Sequence, residues 1–410
     1  MSKGQTADLI LEAGAALIAR AGPEGASVRA IAEQAGVSAP ALQHHFPSKA
    51  GLLTGIYGHA VERHLALTAA ALAPFADLRL ADEPLALRRK ATAEMAAWAI
   101  REWVCEGGQA TASATVLHLL VHAVRDPVHA ALARRWLAGT VAAVGASAAM
   151  EEGEAQFLVE LLVGLALVSA PGAFRRESDV LNRELLAFAC GLHGTCNGFW
   201  LDRFRALREQ ADSASDAPAD DGTVHAELLA AGVALTAEVG ADALSYRKIA
   251  ARAHVAPSSA LYHFPSRQAL LTALYREVHR RFVGAAPPAQ AAEWTHLLRS
   301  GDTAHLAPMF TRLIVEQMAG EAPLFLTSCE LFLAGWREPE LAPEALLMRL
   351  ERGRFAWPDR PEPDEGLRSH THSLWTIGLA LTQYSHPSAD RAGDIERRLR
   401  AGLRFLETTV

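Results

Sequence analysis

The chain has 410 residues, which is too long for one ordinary hydrophobic core, so two or more domains are expected. Half of the residues are apolar, and alternating runs rich in Val, Ile and Thr are almost absent, which favours a mainly helical protein. A formal net charge of −7 argues against a chain that coats nucleic acid or an anionic membrane by bulk charge, although one face can still be basic.

The sequence gives no sign of secretion or membrane insertion. The first residues, MSKGQTAD, are polar and do not resemble a signal peptide, and the most apolar run, Leu161–Val168, is too short to span a bilayer. We therefore expect a cytoplasmic protein with no membrane partner. Its four cysteines are scattered without a CxxC pair, as is typical of reduced buried thiols: Cys105, Cys190, Cys196 and Cys329.

Residues 1–60 predict a head of three helices. Apolar residues recur with a helical period from Ile10 to Ala21, and the Gly-Pro pair at 22–23 ends this first helix. Ser27 can cap a second helix, and Ser38 can cap a third. Between them Gly36 can supply the left-handed conformation of a tight turn. This pattern predicts a helix-turn-helix.

The third helix has the composition of a recognition helix. We expect its apolar side, with Leu42, to face inward, together with His45 and Phe46. Its other side carries small and hydrogen-bonding residues that can enter a DNA major groove: Ala39, Pro40, Gln43 and His44. Lys49 then lies at the N-terminus of a long fourth helix, where free amides and the helix dipole favour a phosphate.

The rest of this half predicts a helical body over residues 61–210. It closes with two apolar helices at about 154–170 and 181–208. The segment 211–222, ADSASDAPADDG, holds four aspartates and no large apolar residue, so we interpret it as an acidic linker.

The second half repeats the first at an offset of 218 residues. "HHFPSKAGLL" (44–53) and "YHFPSRQALL" (262–271) share six of ten positions, and weaker matches follow in the same order, such as "GLAL" at 164–167 and 378–381. Duplication explains this order. It predicts a second head over 223–282 and a second body over 283–410, which closes with helices at 366–385 and 391–408.

The second head differs in its outward residues and its charge. Residues 1–60 have no net charge, whereas residues 223–282 have seven basic and four acidic residues, a net charge of +3. Arg267 takes the place of Lys49. The candidate DNA-binding residues of the second head are Arg247, Lys248, Pro257, Ser258, Leu261, Tyr262 and Arg267. Those of the first head are Ser38, Ala39, Pro40, Gln43, His44 and Lys49.

"IAEQAGVSAPALQHHFPSKAGLL" and "IAARAHVAPSSALYHFPSRQALL" resemble the N-terminal pattern of the tetracycline-repressor (TetR/AcrR) family of bacterial transcriptional regulators. The resemblance covers about sixty residues of each half. It implies a DNA-binding head followed by a helical body that senses a ligand and dimerises. The chain departs from the family pattern at four positions: Gln43 and Leu261 replace the recognition-helix tyrosine, His254 the turn glycine, and Ala256 the capping serine.

Two copies in one chain suggest an intramolecular pseudo-dimer. Regulators of this family act as homodimers on palindromes, and here the two pairs of closing helices can form one four-helix interface inside the chain. Since the outward residues differ, we expect an imperfectly palindromic double-stranded DNA operator. A homodimer of tandem chains with four heads is the rival arrangement.

The resemblance also implies an effector pocket in each body, for an unidentified and apolar small molecule. Metal binding is not favoured, because His118 and His122 are four residues apart without a third ligand in register. No enzyme motif and no cofactor site are apparent. A ligand-responsive repressor is expected, and the alternative is an antirepressor whose heads bind another regulator instead of DNA. The candidate pocket residues are Trp98, Trp103, His118, His122, Gln317, Glu330, Trp336 and Trp375.

Overall fold

A computed structural model of the chain describes residues 3–104, 108–169, 174–212, 223–283, 288–319, 324–352 and 362–407. Within these ranges all regular structure is helical and no β-strand occurs, which confirms the all-α prediction. Most of the predicted linker, residues 213–222, lies outside the described residues, as does Cys105; Ala211 and Asp212 end a helix. None of the helices in these ranges combines the length and apolarity needed to cross a lipid bilayer.

The helices form two units that follow each other in the chain. The first unit contains α1 (Lys3–Gly25), α2 (Val28–Gln34), α3 (Ala39–His45), α4 (Lys49–Ala76), α5 (Leu85–Val104), α6 (Gly108–Arg125), α7 (Pro127–Ala148), α8 (Glu152–Val168), α9 (Arg175–Ala189) and α10 (Phe199–Asp212). The second contains α11 (Thr223–Val239), α12 (Tyr246–Arg252), α13 (Pro257–His263), α14 (Arg267–Val283), α15 (Pro288–Ser300), α16 (Thr303–Met318), α17 (Leu324–Arg337), α18 (Ala342–Arg352), α19 (Pro363–Tyr384) and α20 (Arg391–Glu407).

The predicted closing helices are present, with one correction. Three of them, α8, α19 and α20, agree with the predicted ranges within a few residues. The predicted single helix 181–208 is wrong, because α9 and α10 are separated by a 3-10 turn at His193–Thr195. Gly191 and Gly198 take φ values of 79° and 69° on either side of it and interrupt the α-helical conformation, as Gly22 (φ 70°) does at a kink within α1. The second piece, α10, packs on α9 and also on α18 and α19 of the other unit.

Helices α8 and α19 cross at the centre of the molecule and join the two units. Gly164 on α8 lies against the backbone of Leu374 on α19, and a Cβ at this glycine would overlap the Leu374 carbonyl oxygen. Gly378 on α19 lies in the same way against the backbone of Glu160 on α8. Gly164 lies four residues after Glu160, which Gly378 contacts, and Gly378 lies four residues after Leu374, which Gly164 contacts. The contact is therefore reciprocal, as at the axis of a two-fold dimer.

The packing around this crossing repeats the same relation. Helix α9 packs on α19 while α20 packs on α8, and α6 packs on its counterpart α17. The closing helices of both units thus form one shared core, in which Trp375 is fully buried against Phe157. Within the described residues, closing helices of the two units therefore pack against each other inside one chain, as the hypothesis of an intramolecular pseudo-dimer requires.

Candidate nucleic-acid interface

In the first head, α2 and α3 form the predicted helix-turn-helix. Ser27 caps α2 by accepting a hydrogen bond from the Ala30 amide, and Ser38 caps α3 by accepting one from the Ala41 amide. Gly36 in the turn has a φ of 66°, the left-handed conformation that the sequence predicts for it. The conformation of the motif at Ser27, Gly36 and Ser38 is thus explained by the residue itself and by neighbours within three positions.

The two sides of α3 are separated as predicted. Leu42 is fully buried in the head, and His45 and Phe46 are partly buried. The outward side is exposed along its whole length and offers small, amide and imidazole groups to a partner: Ala39, Pro40, Gln43 and His44. This short, protruding surface has the composition that a DNA major groove accommodates.

The second head has the same turn built from less suitable residues. His254 takes a φ of 56°, a left-handed conformation that costs about 1 kcal/mol or more in a residue with a Cβ. Ala256 makes no capping hydrogen bond, but Pro257 occupies the first turn of α13, where its missing N–H is not needed. Leu261 and Tyr262 are 51% and 84% exposed, so this head presents an aliphatic and an aromatic side chain where the first presents polar ones.

Both candidate phosphate-binding cations already have partners in the protein. The Lys49 ammonium lies 3.3 Å from the Glu24 carboxylate. The Arg267 guanidinium lies 3.4 Å from Glu338 and 3.7 Å from Asp242, and it donates a hydrogen bond to the Ala241 carbonyl. A phosphate would have to compete with these contacts.

The positive charge of the second head is also largely balanced. Five of its seven basic residues form ion pairs with carboxylates: Arg252, Arg267, Arg276, Arg280 and Arg281. Two of the carboxylates, Glu338 and Glu344, belong to the body of the second unit. Of the other two, Lys248 donates to the Ala243 carbonyl at 2.8 Å and Arg247 is exposed. Arg29 is exposed at the equivalent site of the first head, and the candidate residues chosen from the sequence omitted it.

The comparison with known families fits this geometry. A family model described as bacterial regulatory proteins, tetR family, matches residues 10–56 and again residues 228–274. The chain thus carries two tetR-family helix-turn-helix heads in tandem. Members of this family are DNA-binding helix-turn-helix transcription regulators. No curated protein matches the chain.

The tandem tetR-family units are also joined by polar contacts that the sequence did not reveal. Arg125 at the end of α6 binds Glu330 of α17 at 2.5 Å and donates to the Ala237 carbonyl at the end of α11. Reciprocally, Arg337 at the end of α17 binds Nε2 of His118 on α6 at 2.9 Å, and also pairs with Asp242.

These contacts follow from the duplication. Arg337 is the counterpart of Arg125, and Glu330 is the counterpart of His118, in the register that aligns "VRDPVH" (124–129) with "WREPEL" (336–341). Burial raises the pKa of Asp242 to about 6, and burial beside Arg337 holds the pKa of His118 well below its ordinary value. His118 is therefore neutral and accepts the hydrogen bond of Arg337. The two arginines connect the bodies to the junction with the second head.

The eight candidate pocket residues have separate surroundings. Trp98 packs on Phe75, and Trp103 is buried between His64 and Trp136 in the first body. Three others bind the opposite unit: the indole N–H groups of Trp336 and Trp375 donate to the Leu167 carbonyl and the Glu160 carboxylate, and Glu330 binds Arg125. Gln317 is half-buried on α16.

Three cavities bounded by described residues are lined by other side chains. One of them is an open cleft of about 690 Å³ between the end of α1 and the second unit, lined by Arg20, Ala21, Glu24, Gly25, Asp242, Arg267, Arg337 and Glu338. It is polar. Its lining does not suit the apolar effector that the sequence suggests.

His122 contacts side chains of α7 and α4, whereas His118 binds Arg337 of α17. Its imidazole ring lies 4.9 Å from that of His129, and its Nδ1 is 3.3 Å from the Tyr57 hydroxyl of α4. Burial lowers the pKa of both histidines, so both are predominantly neutral near pH 7. His118 and His122, the i,i+4 pair noted in the sequence, therefore have different partners, and His122 is grouped with residues of α4 and α7 instead.

Proposed function

We propose that the chain is a ligand-responsive transcriptional repressor that reads an imperfect palindrome with two different heads. The observation that carries this proposal is the repeated helix-turn-helix whose exposed residues differ between copies, Gln43 and His44 against Leu261 and Tyr262. Two such heads contact two half-sites of different sequence. The candidate DNA-binding residues are all exposed, as this function requires.

The DNA-bound form that we propose is a single chain. The reciprocal crossing of α8 and α19 already uses the surface through which two separate units would pair. Residues 1–60 and 223–282 act as heads, and residues 61–210 and 283–410 as bodies, joined by 211–222. Contacts to phosphate come from Arg29 and Arg247, which are exposed at equivalent positions, and from Lys49 and Arg267 once their carboxylate partners are displaced.

The responsiveness to an effector is supported by the connection between bodies and heads. Arg125 and Arg337 link the paired helices α6 and α17 to the end of α11 and to Asp242. A small molecule that changes the packing of α6 or α17 would shift these contacts and hence the second head.

A footprinting experiment on a selected operator tests the proposal. The operator is first selected from random DNA with the full chain, and gel shifts then measure affinity at several salt concentrations. The double variant Gln43→Ala/His44→Ala should weaken protection of one half-site, and Leu261→Ala/Tyr262→Ala that of the other. Equal loss in both half-sites for either variant would contradict the two-headed reading.

One observation favours a second candidate function, an antirepressor that binds another regulator. Lys49, Lys248 and Arg267 are held by protein partners in the absence of DNA. If the heads serve as protein-binding surfaces, no gel shift occurs at low salt with selected or random DNA. A shift whose affinity falls steeply with salt would exclude this candidate.

A further inference from the structure

The corner between α6 and α7 brings two histidines and an aspartate together in the first unit. His122 lies near the end of α6, Asp126 caps α7, and His129 lies in the first turn of α7. One ligand atom from each of the three lies within 4.8 Å of the other two. His129 is almost fully buried, while the Asp126 side chain is 36% exposed, so the group is open to solvent on the side of the carboxylate.

The hydrogen bonds of Thr54 fix the tautomer of His129. The Thr54 hydroxyl donates to the Ala50 carbonyl at 3.0 Å, so it can only accept at its contact with His129 Nε2, at 3.2 Å. The proton of a neutral His129 is therefore on Nε2. A hydrogen bond of this kind, made by the far nitrogen, is how proteins orient a histidine that binds a metal.

The other ring nitrogen of His129 then carries an unused lone pair. Nδ1 is buried without a hydrogen bond of acceptable geometry, yet it lies 3.0 Å from Oδ2 of Asp126. A lone pair and a carboxylate oxygen at this separation repel each other unless a positive charge lies between them. Either a second proton on His129 or a metal ion can supply that charge.

We propose that His122, Asp126 and His129 bind one divalent transition-metal ion, with Zn²⁺ as its simplest representative. Two imidazoles and a carboxylate are a common ligand set for such ions, at about 2.0 to 2.2 Å from each donor atom. Donor atoms around a tetrahedral ion at these distances lie about 3.4 Å apart, so separations of up to 4.8 Å have to close by up to about 1.4 Å, and the partly exposed Asp126 can adjust. A fourth position stays open for water or an external ligand.

The second unit provides an internal comparison. At the equivalent positions α17 and the following turn carry Ala334, Glu338 and Leu341, so both histidines are missing. The carboxylate that remains, Glu338, binds Arg267 instead. Thr272 and Tyr275 still match Thr54 and Tyr57 on the long helix of the head. The proposal therefore requires one ion per chain, in the first unit only.

The location connects this ion to one head, a step that rests on the proposed function. Thr54 and Tyr57, which contact the two histidines, lie on α4, and α4 begins at Lys49. An ion that tightens the α6–α7 corner also fixes the start of α4. We expect the ion to change DNA contacts of the first head and to leave those of the second head unchanged.

Zinc titration of the full chain against a chromophoric chelator tests the site without DNA. The unmodified chain should bind one Zn²⁺ per chain, and Co²⁺ should give the visible absorption of nitrogen and oxygen coordination. His129→Ala should weaken binding at least 100-fold. Asp126→Asn should weaken it at least tenfold while keeping the helix cap, because Asn caps as well as Asp.

His305→Ala is the matched control. Asp302 and His305 are also a helix cap and the residue three positions later, 2.6 Å apart, but they are exposed and no third ligand from the described residues joins them. This variant should bind Zn²⁺ like the unmodified chain. Circular dichroism verifies that each variant is folded.

Two results would overturn the site: no stoichiometric zinc binding by the folded chain, or binding that His129→Ala and Asp126→Asn leave unchanged. Footprints with and without Zn²⁺ then address the head. Because the titration contains no DNA, loss of DNA binding would contradict the proposed function and not the metal site. Zinc that binds but alters neither half-site would refute the link to the first head.

Discussion

At the turn of each helix-turn-helix, one backbone position takes a left-handed conformation. Gly36 takes it in the first head, and His254, which is exposed, takes it in the second. We expect His254→Gly to raise the free energy of unfolding by about 0.5 to 1 kcal/mol, because it removes the clash of the Cβ, and Gly36→Ala to lower it by about 1 to 2 kcal/mol. Urea denaturation measures both. A loss of stability in His254→Gly would contradict this account of the turn.

Glu160 is buried at the crossing of α8 and α19, where it accepts hydrogen bonds from Trp375 and Gln156. Burial raises its pKa to about 7, against the pull of Arg398. The folded chain thus holds this proton more tightly than the unfolded chain, whose carboxyl titrates near 4.5. The free energy of unfolding should therefore fall as the pH rises from about 4.5 to about 7, by up to about 3 kcal/mol.

Glu160→Gln should remove that part of the pH dependence, since an amide does not titrate. Thermal unfolding between pH 5 and pH 8 measures it. Glu94→Gln, at an exposed ion pair with Arg183, serves as the control and should keep the decline. A decline that persists in Glu160→Gln would assign it to another group.

Single residues could be predicted where the cause is local. The left-handed turn at Gly36 and the cap at Ser38 depend on neighbours within three residues, and both were predicted from the sequence. The ion pairs of Lys49 and Arg267 were not, because Glu338 approaches Arg267 only after the body folds against the head. Part of the positive charge counted along the chain is therefore already paired with carboxylates within the protein.

At the level of elements, the crossing of α8 and α19 depends on the absence of two side chains. Gly164→Ala should push the helices apart and lower the free energy of unfolding by about 2 kcal/mol or more, since backbone atoms occupy the space of the new methyl group. Gly58→Ala on α4 is the control: its nearest neighbour would be 3.9 Å from the new Cβ. That change should stabilise slightly, because Ala is the better helix former. Equal effects of the two changes would refute the close crossing.

Elements were predictable where their ends carry a signal in the sequence. Periodicity alone extended the predicted helix 181–208 through Gly191 and Gly198, and both glycines take conformations that end helices. The corner at Asp126 was missed for a related reason. His118 and His122 have no third ligand in register along the sequence, but the chain reverses at Pro127 and brings His129 back to His122 from the next helix.

For the whole molecule, we expect a 43.9 kDa monomer in solution. The units bury their closing helices against each other, and the polar contacts of Arg125 and Arg337 add to this interface. Analytical ultracentrifugation measures the mass. A species of twice this mass would favour the homodimer of tandem chains with four heads.

Cleavage between the units tests whether the interface or the connection holds them together. A protease site inserted between residues 217 and 218 should yield two fragments that still elute as one complex, because the crossing and the arginine contacts are non-covalent. The uncut chain with the same insertion is the control. Fragments that separate at micromolar concentration would show that the connection supplies most of the association.

The reciprocal contacts of Gly164 and Gly378 also matter when the cell contains few copies of the protein. Two separate tetR-family subunits find each other by collision, so at a few copies per cell a weak pair dissociates. Here Gly164 and Gly378 belong to the same polypeptide, and dilution cannot part them. In the single-chain form that we propose, each copy that is synthesised is already a complete pair. A mutation at one of the two glycines, moreover, alters one side of the crossing and leaves the other intact, which no homodimer permits.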